Sequence, residues 1–217
     1  LNETGGSPAM ATQMGRGSYD IARLSAGGCI AMMEAILDGQ IDNGYALCRP
    51  PGHHAEAEEA MGFCFLANAA LTAKAAQARG LDKVAIIDWD VHHGNGTEAI
   101  YCDRDDVLTI SLHQEGNYPL DTGDFSDRGR GAGEGYNLNL PLPAGAGHTA
   151  YLHAMDTIVL PQIEAFNPDL IIVACGFDAA AIDPLARMLA TAQTFRDMTQ
   201  KVKQAAERLC DGRLVLV

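Results

Sequence analysis

The segment over residues 86–96, IIDWDVHHGNG, holds the side chains best suited to chemistry in this chain. The apolar run over residues 83–87 predicts a buried strand of a parallel sheet, and Asp88, Asp90 and His92 follow it. Alternate side chains of an extended strand point the same way, so we expect these three groups on one side. Two carboxylates and an imidazole at the carboxyl end of a strand are typical of a zinc site. A polar exit from strand to loop is the plainer alternative.

A second cluster, RPPGHH over residues 49–54, places two histidines after a stiff turn. Pro-Pro-Gly fixes the path of the chain, so His53 and His54 are held on a defined loop. Because successive side chains are expected to diverge, the pair makes a poor bidentate metal site. Imidazole titrates near neutral pH, which favours acid–base work. Two solvated histidines without a role would give the same letters.

The third cluster, ACGFDAAAIDP over residues 174–184, follows an apolar strand over residues 170–173. Asp178 lies at the carboxyl end of that strand, where it could join Asp90 and His92 as a third metal ligand. A helix N-cap is the alternative for an aspartate in this position. Three protein ligands with an open fourth position indicate a catalytic rather than a structural zinc.

Strands and helices alternate along the chain, which predicts an α/β fold with a mostly parallel sheet covered on both faces. The long Gly-rich loop over residues 116–135 is of the kind that usually carries function. We predict one domain over residues 1–217. The predicted helices cover residues 19–37, 63–79, 97–101, 149–166 and 189–209, and the predicted strands cover residues 45–48, 83–87, 107–112, 137–142, 169–174 and 213–217.

Composition excludes several function classes. The net charge of −13 and the absence of a basic stripe argue against nucleic-acid binding and fit a cationic substrate. No apolar run approaches the length of a membrane span. Six scattered cysteines without a CxxC pair indicate a reducing compartment, so we expect a cytoplasmic protein.

Both ends of the sequence look cut. The chain begins in a Gly-rich stretch and stops inside the apolar strand over residues 213–217. We therefore expect a fragment that lacks the N- and C-terminal parts of its full domain. An unpaired sheet edge would favour self-association, and a homo-oligomer is left open.

Several segments resemble the zinc-dependent histone deacetylase superfamily, above all its class II branch and the bacterial histone deacetylase-like amidohydrolases. This resemblance implies the arginase/deacetylase fold, a three-layer α/β/α sandwich. It also implies zinc-dependent removal of acetyl groups from acetylated lysine or related amines. The matching segments are RPPGHHA (49–55), MGFCFLANAA (61–70), DWDVHHGNG (88–96), ISLHQ (110–114), GFDA (176–179) and DPLA (183–186).

The same resemblance implies roles for single residues. Zinc would be held by three side chains, Asp90, His92 and Asp178. His53 and His54 would form the catalytic pair, with Asp88 as hydrogen-bond partner of His53 and Asn95 as partner of His54. One branch of the family has Asp in place of Asn95, and a neutral partner should leave His54 less cationic. His54 would then be the general base and acid, and His53 would give electrostatic support.

The resemblance also implies a substrate channel and structural potassium. Gly62 and Phe63 would form the floor and one wall of the channel. Tyr118 would form the opposite wall, where the family usually has Phe, and Asp183 would be a supporting residue. The potassium ligands would be Asp88 and Ser111 together with the backbone carbonyls of Asp90, His92 and Leu112. A second potassium would lie near Tyr101, Val107 and Tyr136.

The sequence leaves several functions open. A tyrosine that stabilises the oxyanion in this family follows the strand matching residues 213–217, outside this chain, so we expect little activity from the chain alone. An arginase-type dimanganese hydrolase is disfavoured because Gly94 and Ala180 stand where further ligands would be. An acetylpolyamine amidohydrolase and a non-catalytic acyl-lysine-binding or scaffold domain remain alternatives.

Overall fold

The computed structural model describes residues 6–9 and 12–217. Its centre is a six-stranded sheet in the order β3-β8-β7-β4-β5-β6, in which every neighbouring pair is parallel. A separate antiparallel hairpin joins β1 to β2. The strands are β1 (Gly6–Ala9), β2 (Thr12–Met14), β3 (Gly44–Tyr45), β4 (Val84–Asp88), β5 (Val107–Gln114), β6 (Asn137–Leu142), β7 (Leu170–Ala174) and β8 (Leu214–Leu216).

α-Helices lie in most of the connections between strands, but not between β1 and β2 or between β5 and β6. A π-helical turn over Met155–Val159 joins α4 to α5, and a short 3-10 helix covers Gly131–Gly133. No helix in the described part of the chain has the length and apolarity needed to cross a bilayer. The helices are α1 (Ser18–Leu37), α2 (Asn68–Ala78), α3 (Asn95–Tyr101), α4 (His148–Ala154), α5 (Leu160–Phe166) and α6 (Ala192–Leu209).

The sheet separates two hydrophobic cores, so the three-layer α/β/α architecture is confirmed. Alternation along β4 shows the division, because Ala85 and Ile87 belong to the core that includes residues of α4, α5 and α6. Val84 and Ile86 belong to the opposite core, which includes residues of α1 and α2. A strand buried on both faces explains why its sequence is a continuous apolar run.

Predicted elements differ from the structure mainly at their ends. The helix predicted from residue 63 begins at Asn68, because Gly62 and Phe63 have positive φ values of 54° and 66° and belong to a turn. The helix predicted from residue 189 begins at Ala192, because Leu189 forms a bridge to another segment and Thr191 caps the helix. The strand predicted over residues 45–48 is shorter, ending at Tyr45.

The sheet brings the polar segments together at one edge. In the register of the sheet Asp88, the last residue of β4, lies beside Ser111 of β5 and Ala174 of β7. The segments that leave β4 and β7 therefore meet at the carboxyl edge of the sheet, where α/β folds place their sites.

Candidate active site

Three side chains converge at this edge. Within residues 6–9 and 12–217, one group of His, Cys, Asp or Glu is arranged to hold a metal ion, and it consists of Asp90, His92 and Asp178. Their ligand atoms lie within 4.8 Å of one another. His92 Nδ1 lies 3.0 Å from Asp90 Oδ1 and 2.9 Å from Asp178 Oδ2. The structure thus brings together the three residues that the sequence predicted as zinc ligands.

The side chains of Asp90 and His92 are positioned by turns and not by an extended strand. β4 ends at Asp88, and the chain then turns. Asp88 Oδ1 accepts a hydrogen bond from Asp90 N (3.0 Å), and Asp90 Oδ1 accepts one from His92 N (2.8 Å). Between them, Trp89 and Val91 are fully buried in the core. Alternate side chains do point to the same side, as predicted. The cause is the burial of Trp89 and Val91 and the two turns closed by carboxylates, and not an extended strand.

The position of Asp178, the third side chain of the triad, depends on a glycine. Asp178 Oδ1 accepts a hydrogen bond from Val91 N at 2.8 Å, which ties the segment after β7 to the segment after β4. A Cβ added at Gly176 would lie 2.2 Å from Asp90 Oδ2. Glycine is therefore needed for the two segments to approach as closely as they do.

The electrostatics of the triad suit a cation. Burial of His92 disfavours its charged form, but the carboxylates of Asp178 and Asp90 outweigh burial and raise its pKa to about 10. The two carboxylates therefore stabilise positive charge between them. Two carboxylate oxygens and one imidazole nitrogen also form a donor set that zinc accepts, with room for a fourth ligand.

The two adjacent histidines lie side by side. His53 Nδ1 is 2.8 Å from Asp88 Oδ2, and His54 Nδ1 is 2.8 Å from Asn95 Oδ1. Their ring centroids are 3.9 Å apart with an interplanar angle of 39°. The expectation that these side chains diverge is therefore wrong. Each ring is held by a partner in the segment from the end of β4 to the start of α3, which turns both rings the same way.

Their environments push the two histidines to opposite charge states. Burial opposes the charged form of His53, but Asp88 and Asp90 outweigh it and raise its pKa to about 9. Burial, then the positive charge of His53, lowers the pKa of His54 to about 3. At neutral pH His53 is therefore cationic and His54 is neutral. The hydrogen bond with Asn95 acts in the opposite direction and is outweighed by these two effects.

Two of the three predicted channel residues, Gly62 and Tyr118, lie against His54. Gly62 has a φ of 54°, and a Cβ there would lie 2.2 Å from His54 Cδ2, so only glycine fits under the ring. Phe63 is exposed beside it. The Tyr118 ring stands edge-on to His54 with centroids 5.1 Å apart, and 6.1 Å from His92.

The other predicted residues lie in β5 and in the loop after β7. Ser111 and Leu112 are buried in β5, and Ser111 Oγ is 3.4 Å from Gly94 N. Asp183 lies in the loop after Asp178, where its Oδ1 accepts a hydrogen bond from Leu185 N at 2.8 Å. That contact supports the loop.

Sequence reasoning missed two carboxylates. Glu56 accepts a hydrogen bond from the amide nitrogen of Asn95 at 2.7 Å. Glu98 Oε2 accepts hydrogen bonds from Asn137 Nδ2 and Asn139 Nδ2, both at 2.7 Å, and lies 3.2 Å from His93 Nε2. The signal for Glu98 was present, since two asparagines at alternate positions of a buried strand require polar partners on one face.

Comparison with known proteins agrees with this geometry. The sequence model for the histone deacetylase domain matches residues 2–217. A histone deacetylase-like amidohydrolase of Pseudomonas aeruginosa is 57% identical over 214 residues, which cover 98% of this chain and 56% of that protein. Histone deacetylase 15 of Arabidopsis thaliana is 45% identical over 199 residues, 90% of this chain and 35% of that protein.

Solved structures agree as well. The crystal structure of the HDA15 HD domain has a TM-score of 0.91 and 43% identity, covering 98% of this chain and 59% of the other. An acetylpolyamine aminohydrolase from Burkholderia pseudomallei has a TM-score of 0.87 and 37% identity, covering 95% and 59%. The chain belongs to the histone deacetylase domain family, whose members are zinc-dependent. It spans about half the length of the first of these relatives.

Proposed function

We propose that this chain carries the metal site and the histidine pair of an amidohydrolase that removes acetyl groups from acylated amines. The observation that carries the proposal is the position of the metal-binding triad next to a cationic and a neutral histidine. The His54 and His92 ring centroids are 6.0 Å apart, so the neutral imidazole borders the triad. Family membership supports the same reaction class.

Zinc held by Asp90, His92 and Asp178 would supply Lewis-acid polarisation of the amide carbonyl. The neutral His54 would take the proton from the attacking water at Nε2 and return it to the amine nitrogen as the carbon–nitrogen bond breaks. The cationic His53, held by Asp88, would stabilise the negative charge that develops on the carbonyl oxygen.

The channel residues favour a narrow acylated amine as substrate. Gly62, Phe63 and Tyr118 offer an apolar floor and ring walls that suit the methylene chain of acetyl-lysine. The structural likeness to an acetylpolyamine aminohydrolase and the net charge of −13 support an acetylated polyamine as the second candidate. The Tyr118 hydroxyl makes the channel more polar, which also favours a polyamine substrate. A non-catalytic acyl-lysine-binding domain is the remaining alternative.

The proposal includes a structural potassium ion and a cellular location. The adjacency of Asp88 and Ser111 across β4 and β5, with Leu112 next in the strand, supports a structural potassium behind the triad. The net charge of −13 supports a protein that does not bind nucleic acid. The six free cysteines support a reducing compartment such as the cytoplasm. A homo-oligomer stays open.

The proposal is tested on the natural full-length protein with an acetyl-lysine peptide and N-acetylputrescine. We expect equal release of acetate and free amine from at least one of them. Asp178→Ala should lower the rate by at least about 100-fold, since even the outer partners of a metal site are worth about 10- to 100-fold. The exposed Asp103→Ala is the matched control and should keep the parent rate. Binding of the acetylated peptide without release of acetate would instead support the non-catalytic alternative.

A further inference from the structure

We infer that Glu56 is a positioning residue for His54 and acts through the side-chain amide of Asn95. This inference rests on the proposed function, because it assigns His54 the task of accepting a proton. It concerns which of the two imidazole nitrogens carries the hydrogen before the reaction begins.

The geometry forms a three-residue chain. Asn95 is buried, and its Oδ1 lies 2.8 Å from His54 Nδ1. The Asn95 Nδ2 donates to Glu56 Oε1 at 2.7 Å and to Met61 Sδ at 3.3 Å. Glu56 lies at the exposed end of this chain, and its backbone N–H donates to the Glu59 carbonyl at 2.9 Å. That backbone bond closes the loop over residues 56–59 and holds the carboxylate against Asn95.

The chain fixes the orientation of the Asn95 amide. An ionised carboxylate only accepts hydrogen bonds, and a thioether sulfur only accepts them weakly. Glu56 and Met61 therefore both select the orientation in which the Asn95 Nδ2 faces them and Oδ1 faces His54. With an acceptor opposite it, His54 Nδ1 must carry the hydrogen, and the lone pair lies on Nε2. This is the tautomer that can accept a proton from water.

The reverse orientation would disable the base. If the Asn95 amide turned over, its NH₂ group would face His54 Nδ1, which would then have to accept, and the hydrogen would move to Nε2. An aspartate at position 95 could not fail in this way, because both of its oxygens accept. Glu56 thus supplies what the neutral residue at position 95 lacks. His53 needs no such device, since its partner Asp88 is a carboxylate.

The test uses the natural full-length protein and Glu56→Lys, because an ammonium group only donates and selects the reversed amide. We expect kcat to fall by at least about tenfold, with KM and zinc content unchanged. Glu56→Gln keeps an acceptor oxygen and should retain most of the activity. Glu58→Lys makes the same charge change at an exposed position of the same loop and is the matched control.

A second background separates positioning from charge. In Asn95→Asp protein there is no amide to orient, so adding Glu56→Lys should change kcat by less than about twofold, the limit for independent sites. Nitrogen-15 NMR of His54 gives a readout without turnover. We expect the Nδ1-protonated tautomer in the parent protein and the Nε2-protonated tautomer in Glu56→Lys.

Three results would overturn the inference: parent kcat in Glu56→Lys, an equal loss in both backgrounds, or an unchanged His54 tautomer. If the parent protein hydrolyses neither acetylated substrate, the proposed function fails, while the tautomer measurement still decides the role of Glu56.

Discussion

Two neighbouring imidazoles, His53 and His54, have opposite charge states because their environments differ. His53 contacts a buried carboxylate and lies near a second one, whereas His54 contacts an amide. Titratable groups whose pKa values are pushed apart in this way typically divide acid, base and electrostatic roles between them. The site therefore holds one cationic and one neutral imidazole at neutral pH, within one buried pair.

His54→Ala tests the base at the residue scale. In the natural full-length protein we expect kcat to fall by about 10²-fold or more, the scale of general acid–base catalysis. Zinc content should stay unchanged, because His54 lies outside the triad. Steady-state hydrolysis of an acetylated substrate and elemental analysis measure both quantities. His153→Ala, at an exposed histidine of α4, is the control. Loss of zinc together with activity would show that His54 has another role.

Sequence predicted some residues of the site better than others. Asp90 and His92 were identified because their types and their place after an apolar strand are themselves the signal. Glu56 was missed because its role depends on a loop that folds back onto Asn95 across 39 positions of sequence. The side-by-side stacking of the histidines was missed for a related reason, since it depends on the two partners after β4.

At the scale of elements, Glu98 joins three segments below the site. It lies on α3, accepts hydrogen bonds from Asn137 and Asn139 on β6, and contacts His93. Burial alone would raise its pKa, but the hydrogen bonds from His93, Asn139 and Asn137 outweigh burial and hold that pKa below its usual range. The ionised carboxylate therefore stabilises the packing of α3 against the sheet.

Glu98→Gln tests this junction through its pH dependence. A glutamate whose folded-state pKa is depressed contributes stability that is present above the unfolded pKa of about 4.3 and is lost as pH falls through the folded value. We expect the variant to lose about 1 to 3 kcal/mol of unfolding free energy at pH 7, and less as the pH falls below about 4. Urea unfolding of the parent and the variant, at pH 7 and at a pH below about 4, measures this difference in unfolding free energy. An equal loss at both would contradict the ionised role of Glu98.

The predictability of each element followed its local signal. β4, β5 and β7 were predicted almost to the residue, since strands buried on both faces are continuous apolar runs. The start of α2 was predicted too early, because residues 63–67 are apolar and helix-compatible in composition. The positive φ values of Gly62 and Phe63 show that the chain forms a turn here before the helix begins.

The whole molecule explains why the site lies where it does. Two hydrophobic cores hold the sheet between layers of helices. Asp88 at the end of β4, and Asp90 and Asp178 in the segments that follow β4 and β7, lie at one edge of this sheet. Fold class was predictable from the alternation of strands and helices. The chain covers 56% of the histone deacetylase-like amidohydrolase of Pseudomonas aeruginosa, so hydrolysis is measured on the natural protein.

Metal stoichiometry tests the central claim most directly. Elemental analysis of the natural full-length protein should find about one zinc per chain. The Asp178→Ala variant should lose most of this zinc, because the two remaining ligands are too few to hold it. The Asp103→Ala control should keep its zinc. Two metal ions per chain, or full zinc content in Asp178→Ala, would contradict a single zinc site formed by Asp90, His92 and Asp178.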